Sequence, residues 1–197
     1  IWSLNYGRAW TPRHLAILQR QYAELANWYE NQTEREEKFY FSPFDVKIAS
    51  RVFPGSCWRE RCELGHRQIS VAPTGNLFPC VQFVGDGRDS EWCIGDVRTG
   101  IDEARRERLF RASSREKTEC AECAIRERCN HYCGCLNRQA TGRLDAVSPV
   151  LCAHEKMVLQ VADRLAARLF RKRTPMFIQK QYNELFTLFS LAEDHAP

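Results

Sequence analysis

The sequence predicts three successive segments: an α/β stretch over residues 1–50, a small cysteine-rich α+β domain over 51–152, and a helical segment over 153–197. Three observations carry this division. The first fifty residues contain no cysteine and show an apolar period of three and four. Every cysteine and nine of the ten glycines fall between 51 and 152. After 152, apolar residues again recur at helical spacing.

Within the first segment, Thr11-Pro12 supplies a cap and a first-turn proline, and Leu15, Leu18, Tyr22, Leu25 and Tyr29 follow on one face. The spacing predicts an amphipathic helix over 12–31 whose aromatic stripe is core contact. Residues 38–41 and 44–48 read as short strands separated at Pro43, and Asn5-Tyr6-Gly7 as a loop before the helix. In the second segment, 69–72 and 77–78 read as a hairpin turned at Gly75, delivering Cys80 just past Pro79. A polar turn at 85–89, a strand within 91–97 and a helix over 101–112 follow, the helix placing Ile101, Ala104, Leu109 and Phe110 partly inward. Residues 153–171 predict a long helix with Val158, Val161, Leu165 and Leu169 on one face, and Cys152 at its start. The apolar recurrence from Tyr182 to Leu191 suggests a final helix that docks on another part of the protein.

Composition narrows the function classes. Hydrophobic residues make up 44% and charged residues 27% of 197, an ordinary globular balance. No apolar run is long enough to span a membrane, and the opening Ile1-Trp2-Ser3-Leu4-Asn5 lacks the basic flank and apolar core of a secretion signal, so a cytoplasmic protein without a membrane partner is expected. The chain starts without methionine, in what reads as a strand running into a turn, which suggests the carboxyl-terminal part of a longer protein. The net charge is +4, but acidic residues interrupt nearly every basic run, so no nucleic-acid partner is expected.

The ten cysteines are the informative feature. A disulfide scaffold would suit their even number, yet no export signal accompanies them, and five lie between 120 and 135, where ligands of one centre converge more easily than five separate crosslinks. The two-residue spacing of Cys120 and Cys123 lets one turn aim both sulfurs at a soft metal, zinc or iron. One site would leave Cys57, Cys62, Cys80 and Cys152 without a role, so two centres account for the count better. Spacing alone does not choose the partition, because a cysteine run can lend its last member to a neighbouring cluster.

The full pattern is Cys62, twelve residues, Gly75, four residues, Cys80, then Cys120-Ala-Glu-Cys123, five residues, Cys129-Asn-His-Tyr-Cys133, and finally Cys152. It resembles the seven-cysteine signature of the SPASM domain, which ends radical S-adenosylmethionine enzymes that modify peptides and proteins. The resemblance covers about residues 57–152. It implies that Cys57, Cys62, Cys80 and Cys133 ligate a first auxiliary [4Fe–4S] cluster and that Cys120, Cys123, Cys129 and Cys152 ligate a second. It further implies that 1–50 closes a partial (β/α) barrel, so that the fold class is an α/β barrel fragment followed by a small α+β cluster-binding domain and C-terminal helices. S-adenosylmethionine and a third [4Fe–4S] cluster would sit upstream, and the partners would be a precursor peptide and an electron donor such as flavodoxin or ferredoxin. By the same resemblance the parent enzyme would crosslink or oxidise a ribosomally made peptide by a radical route.

Two departures stand out. The radical-generating cysteine trio, spaced by three and two residues, is absent from this chain. Sulfatase-maturating relatives place an aspartate after the cysteine matching Cys80, and here Val81 cannot accept a proton. Cys93 and Cys135 remain outside the eight and read as buried small hydrophobes, the alternative being that one replaces a ligand, Cys57 above all. His131 reads either as a donor to a cluster sulfur or as a surface residue, and Asn137 and Arg138 as residues that tune the cluster's potential or close its loop. The reading from another class is a zinc-binding interaction module without enzymatic activity.

Overall fold

The computed structural model describes residues 5, 9–54, 62–85, 91–183 and 185–186. The expected opening strand, most of the Asn5-Tyr6-Gly7 loop, Cys57, most of the 85–89 turn and most of the expected final helix lie outside the described residues. What is described is mainly helical, with a small four-stranded antiparallel sheet. The chain divides into two compact units, one drawing on 10–57 and 153–197 and the other on 58–152. No helix among the described residues is long and apolar enough to cross a membrane.

The first unit is built on α1 (Pro12–Glu34), α2 (Ser42–Val52), α5 (Pro149–Lys172, from Ala153 onward) and α6 (Pro175–Tyr182). α1 starts where the sequence predicts: Pro12 occupies its first turn, and the Thr11 hydroxyl accepts from the His14 amide while the His14 ring accepts from the Thr11 amide. Tyr22, Ala26 and Tyr29 face the core, with Leu18 packed at its edge. Leu25 does not; three residues past Tyr22, it falls on the flank of the stripe and is 38% exposed, and Ala26 takes the buried place.

The two strands expected over 38–48 are replaced by an extended lead and a helix, α2. Pro43 sits in the first turn of α2, where no amide hydrogen is needed, and the Asp45 carboxylate accepts from the Phe41 amide at 2.6 Å. Phe44 and Ile48, four residues apart, are both fully buried. On α5, Val158, Ala162, Leu165, Ala166 and Leu169 complete the core, with Phe177 of α6 and partly buried Val161.

Polar groups inside this unit are paired. Asp45 accepts from the Tyr29 hydroxyl at 2.5 Å and meets Lys180 at 2.8 Å. Lys47 of α2 meets Glu155 of α5 at 2.7 Å, and Glu30 meets Arg168 and Lys172 at 2.7 and 2.9 Å. His154 lies 2.8 Å from the Tyr22 hydroxyl, and burial, more than the opposing pull of Glu155, lowers its pKa to about 4. Such a histidine stabilises the fold fully above its unfolded pKa near 6.5, and that contribution drains away as pH falls from 6.5 towards 4, because the unfolded state binds the proton first. The expected loss is about 3 kcal/mol. Urea unfolding at pH 7 and pH 4.5 measures it, and His154→Gln should flatten the pH slope; an unchanged slope would place the histidine in contact with water.

The second unit is organised by β1 (Ser70–Val71), β2 (Asn76–Phe78), β3 (Gly95–Asp96) and β4 (Gly100–Ile101), paired in that order. Ser70 pairs with Phe78 and Val71 with Leu77, so the expected hairpin forms, and Gly75 turns it with φ +90°. α3 (Glu103–Ser114) follows, capped by Asp102 accepting from the Arg105 amide; it buries Leu109 but leaves Ala104 exposed. α4 (Gly134–Thr141) ends at Gly142. The core holds Leu64, Leu77, Phe78, Phe83, Ile94 and Leu109, and three cysteines share it: Cys80, Cys93 and Cys135.

Gly95 is the tightest point of the sheet. Its φ is +146°, and a Cβ there would lie 2.2 Å from the Gly100 carbonyl oxygen, a backbone atom that the β3–β4 pairing holds in place. Gly95→Ala is expected to cost about 3 kcal/mol through strain and overpacking, read as a lower denaturation midpoint. A neutral result would show that the hairpin can open without loss.

Candidate metal centre

Four thiols from three separate stretches of the second unit come together. β2 and Pro79 carry Cys80 to the start of a 3-10 turn, Val81–Phe83, where the Val81 and Gln82 amides and the Gln68 side chain lie near enough to its sulfur to lower its pKa. Cys133 stands at the N-cap of α4, where the Leu136 and Cys135 amides lower its pKa. Cys135 stands in the first turn of α4, with its sulfur 3.3 Å from Cys80 Sγ and 3.7 Å from Cys133 Sγ. Cys62, from the segment before the hairpin, lies close enough for Cys135 to lower its pKa.

The electrostatics follow from a proton held among close sulfurs. The Cys135 hydrogen bond is the main reason the Cys80 thiol is lowered to about 6, and it lowers Cys62 and Cys133 as well; helix-end amides assist at Cys80 and Cys133. The Cys135 thiol is raised, because its neighbours favour the form that keeps its hydrogen. The single Cys135 hydrogen serves one neighbour at a time, while nearby amides favour charge on the Cys80 and Cys133 sulfurs, the state a soft metal requires of its ligands.

A second thiol group lies around Cys120, which ends the turn Thr118–Cys120 and is buried. Burial raises its pKa, and the nearby Cys152 and Cys123 sulfurs raise it further, while Lys117 lowers it. The buried Lys117 ammonium donates to the Ser113 and Arg115 carbonyls at 3.0 and 3.1 Å, which fixes a positive charge beside this group. Cys129 follows the turn Arg126–Arg128 and is 6% exposed. Cys152 lies in the first turns of α5, as the sequence suggests.

Cys57 lies outside the described residues, and Cys93 stands apart from both groups in its bonding, donating to the Gly95 carbonyl at 3.3 Å. The nine described cysteines are free, with sulfurs well beyond the disulfide bond length of about 2.0 Å. As placed, no group of three or more His, Cys, Asp or Glu side chains among the described residues could hold a metal ion. The first thiols lie against one another at hydrogen-bonding distance, and a metal core would have to part them. The donor chemistry nevertheless fits an iron–sulfur centre: sulfur ligands, largely buried, with amides directed at them.

The surrounding residues brace the first group. Asn137, fully buried, donates to the His131 and Leu144 carbonyls at 2.9 and 3.2 Å and so closes the loop around Cys133. Arg138 lies 4.6 Å from the Trp92 ring centre and 5.0 Å from that of Phe83, tying α4 to the segment after Cys80. His131 is 5% exposed, and Val81 is 66% exposed. Cys135 is the participant that the sequence pattern leaves out; its one-residue spacing from Cys133 at a helix start is the signal that marks it. Comparison with protein-family models and with curated proteins gives no match to this chain.

Proposed function

We propose that this chain is the carboxyl-terminal part of a radical S-adenosylmethionine enzyme that modifies a ribosomally made peptide, with the second unit carrying two auxiliary [4Fe–4S] clusters. The observation that carries the reading is the grouping of the thiols. Cys133 leaves the run 120–133 to join Cys62 and Cys80, whereas Cys120 and Cys123 associate with distant Cys152. This crossed partition is the one the SPASM resemblance implies, and a sequential four-cysteine zinc site would not need it.

Cys62, Cys80 and Cys133, with a fourth thiolate, would hold the first cluster, and Cys120, Cys123, Cys129 and Cys152 the second. Such clusters supply one-electron transfer. The chain's own part is to keep the thiolates deprotonated with the amides of Val81, Gln82 and Leu136, and to close each cage with four protein ligands. A closed cage leaves no iron for the peptide to ligate, which assigns these centres to electron transfer and to the shape of the peptide channel. The partial barrel and the upstream S-adenosylmethionine site belong to the same reading.

A zinc-binding interaction module is the competing reading. The 3.7 Å separation of Cys133 and Cys135 favours it, being close to the sulfur spacing that zinc bonds of about 2.3 Å give in a tetrahedron. Anaerobic purification separates the two: a brown protein absorbing near about 400 nm, with about eight irons per chain, is the expected result. A colourless protein holding about two zinc ions would replace the enzyme reading with the zinc module.

A further inference from the structure

We propose that Cys135 is the fourth thiolate of the first cluster, beside Cys62, Cys80 and Cys133, and that this cluster does not require Cys57. The inference rests on the cluster-binding reading above and goes further by naming the ligand set of one centre. It gives that centre a complete complement of sulfurs from residues 62–135.

Cys135 is the sulfur on which the others converge. It stands 3.3 Å from Cys80 Sγ, fifty-five residues away in sequence, and 3.7 Å from Cys133 Sγ, with Cys62 close by. Burial alone does not bring a thiol there. Cys93 is buried to a similar degree in the same core, 5% exposed against 6%, yet its sulfur is spent on the Gly95 carbonyl.

The local fold explains why Cys133 and Cys135 both reach the group. They bracket Gly134, the first residue of α4, and a Cβ on Gly134 would come 2.9 Å from Ser113 Cβ. Only glycine lets the start of α4 seat this closely on the end of α3. That seat fixes the two sulfurs side by side at the amino terminus of α4, 3.7 Å apart. Four thiolates complete the ligation of a four-iron cluster, so a further cysteine is surplus to it.

The test uses the whole 197-residue chain, reconstituted anaerobically with iron and sulfide, and reads iron content together with the number of reducible clusters by electron paramagnetic resonance. Cys57→Ser is expected to keep about eight irons, and Cys135→Ser to fall to about four with one cluster signal remaining. Cys93→Ser should keep the full complement. Loss of about four irons in Cys57→Ser, or full iron in Cys135→Ser, overturns the assignment while leaving the functional reading standing. The Cys57→Ser arm decides the matter even if Cys135→Ser folds poorly. An unsubstituted chain that takes up no iron overturns the functional reading itself.

Discussion

Lys47→Met is expected to lower the stability of the folded chain by about 3–5 kcal/mol, the cost of leaving a buried carboxylate without its partner. The Lys47 and Glu155 side chains are 5% and 4% exposed and 2.7 Å apart, so neither can recover hydration by a small movement. Tyr22, whose hydroxyl burial and, to a lesser extent, the Glu155 charge hold in its protonated form, and His154, kept neutral by burial, offer no replacement positive charge. Glu155 would then draw water into the junction of α1, α2 and α5, which weakens the packing around Phe44. The double variant Lys47→Met/Glu155→Leu should regain most of the loss, since an apolar pair of similar volume often replaces a buried ion pair at little cost. Urea denaturation of the two variants provides the measurement. A single variant within about 1 kcal/mol of the unsubstituted chain would mean that the pair is solvated and contributes as a surface pair does.

Cys80→Ser and Cys120→Ser are each expected to remove about half of the bound iron, and the double variant nearly all of it. The two thiols lie in different groups: Cys80 with Cys135, Cys133 and Cys62, and Cys120 with Cys123 and Cys152. Serine keeps the approximate shape but substitutes a hard, protonated oxygen for a soft thiolate, which iron–sulfur ligation tolerates poorly. Cys80 also has the amides of Val81 and Gln82 directed at it, and these favour a sulfur anion over a hydroxyl. Each variant therefore reports on one centre, with the iron left in the other serving as the control for folding. Should both single variants retain all their iron, the thiol groups would not be metal centres and the proposed function would fall with them.

Much of the architecture is legible in the sequence where a local signal and a tertiary requirement agree. Thr11-Pro12 starts α1, Gly75 turns the β1–β2 hairpin, and the apolar face of α5 is buried as its spacing predicts, apart from partly buried Val161. Residues 38–48 mislead because a short apolar run does not declare its period, and Pro43 reads equally as a strand break or a first-turn proline. The deciding fact is the Asp45 carboxylate that closes the start of α2 on one side and takes the Tyr29 hydroxyl on the other, a contact between elements. The thiol site divides in the same way. Sequence spacing marks which cysteines can share a turn, but the approach of Cys135 to Cys80 depends on how α4 seats at Gly134, and that close fit leaves no periodic trace.

The first unit joins residues 10–54 to 153–183, with the other unit intervening in sequence. On the ribosome, α1 and α2 therefore emerge well before α5, which must cover Tyr22, Phe44 and Ile48. At ordinary elongation rates the roughly 100 intervening residues take about 5–20 s to synthesise. During that interval the nascent aromatic stripe is open to chaperones, while the local β hairpins can already pair. Insertion of metal before α5 completes the unit would make assembly a vectorial process, with the cysteine-rich middle maturing ahead of the helical ends.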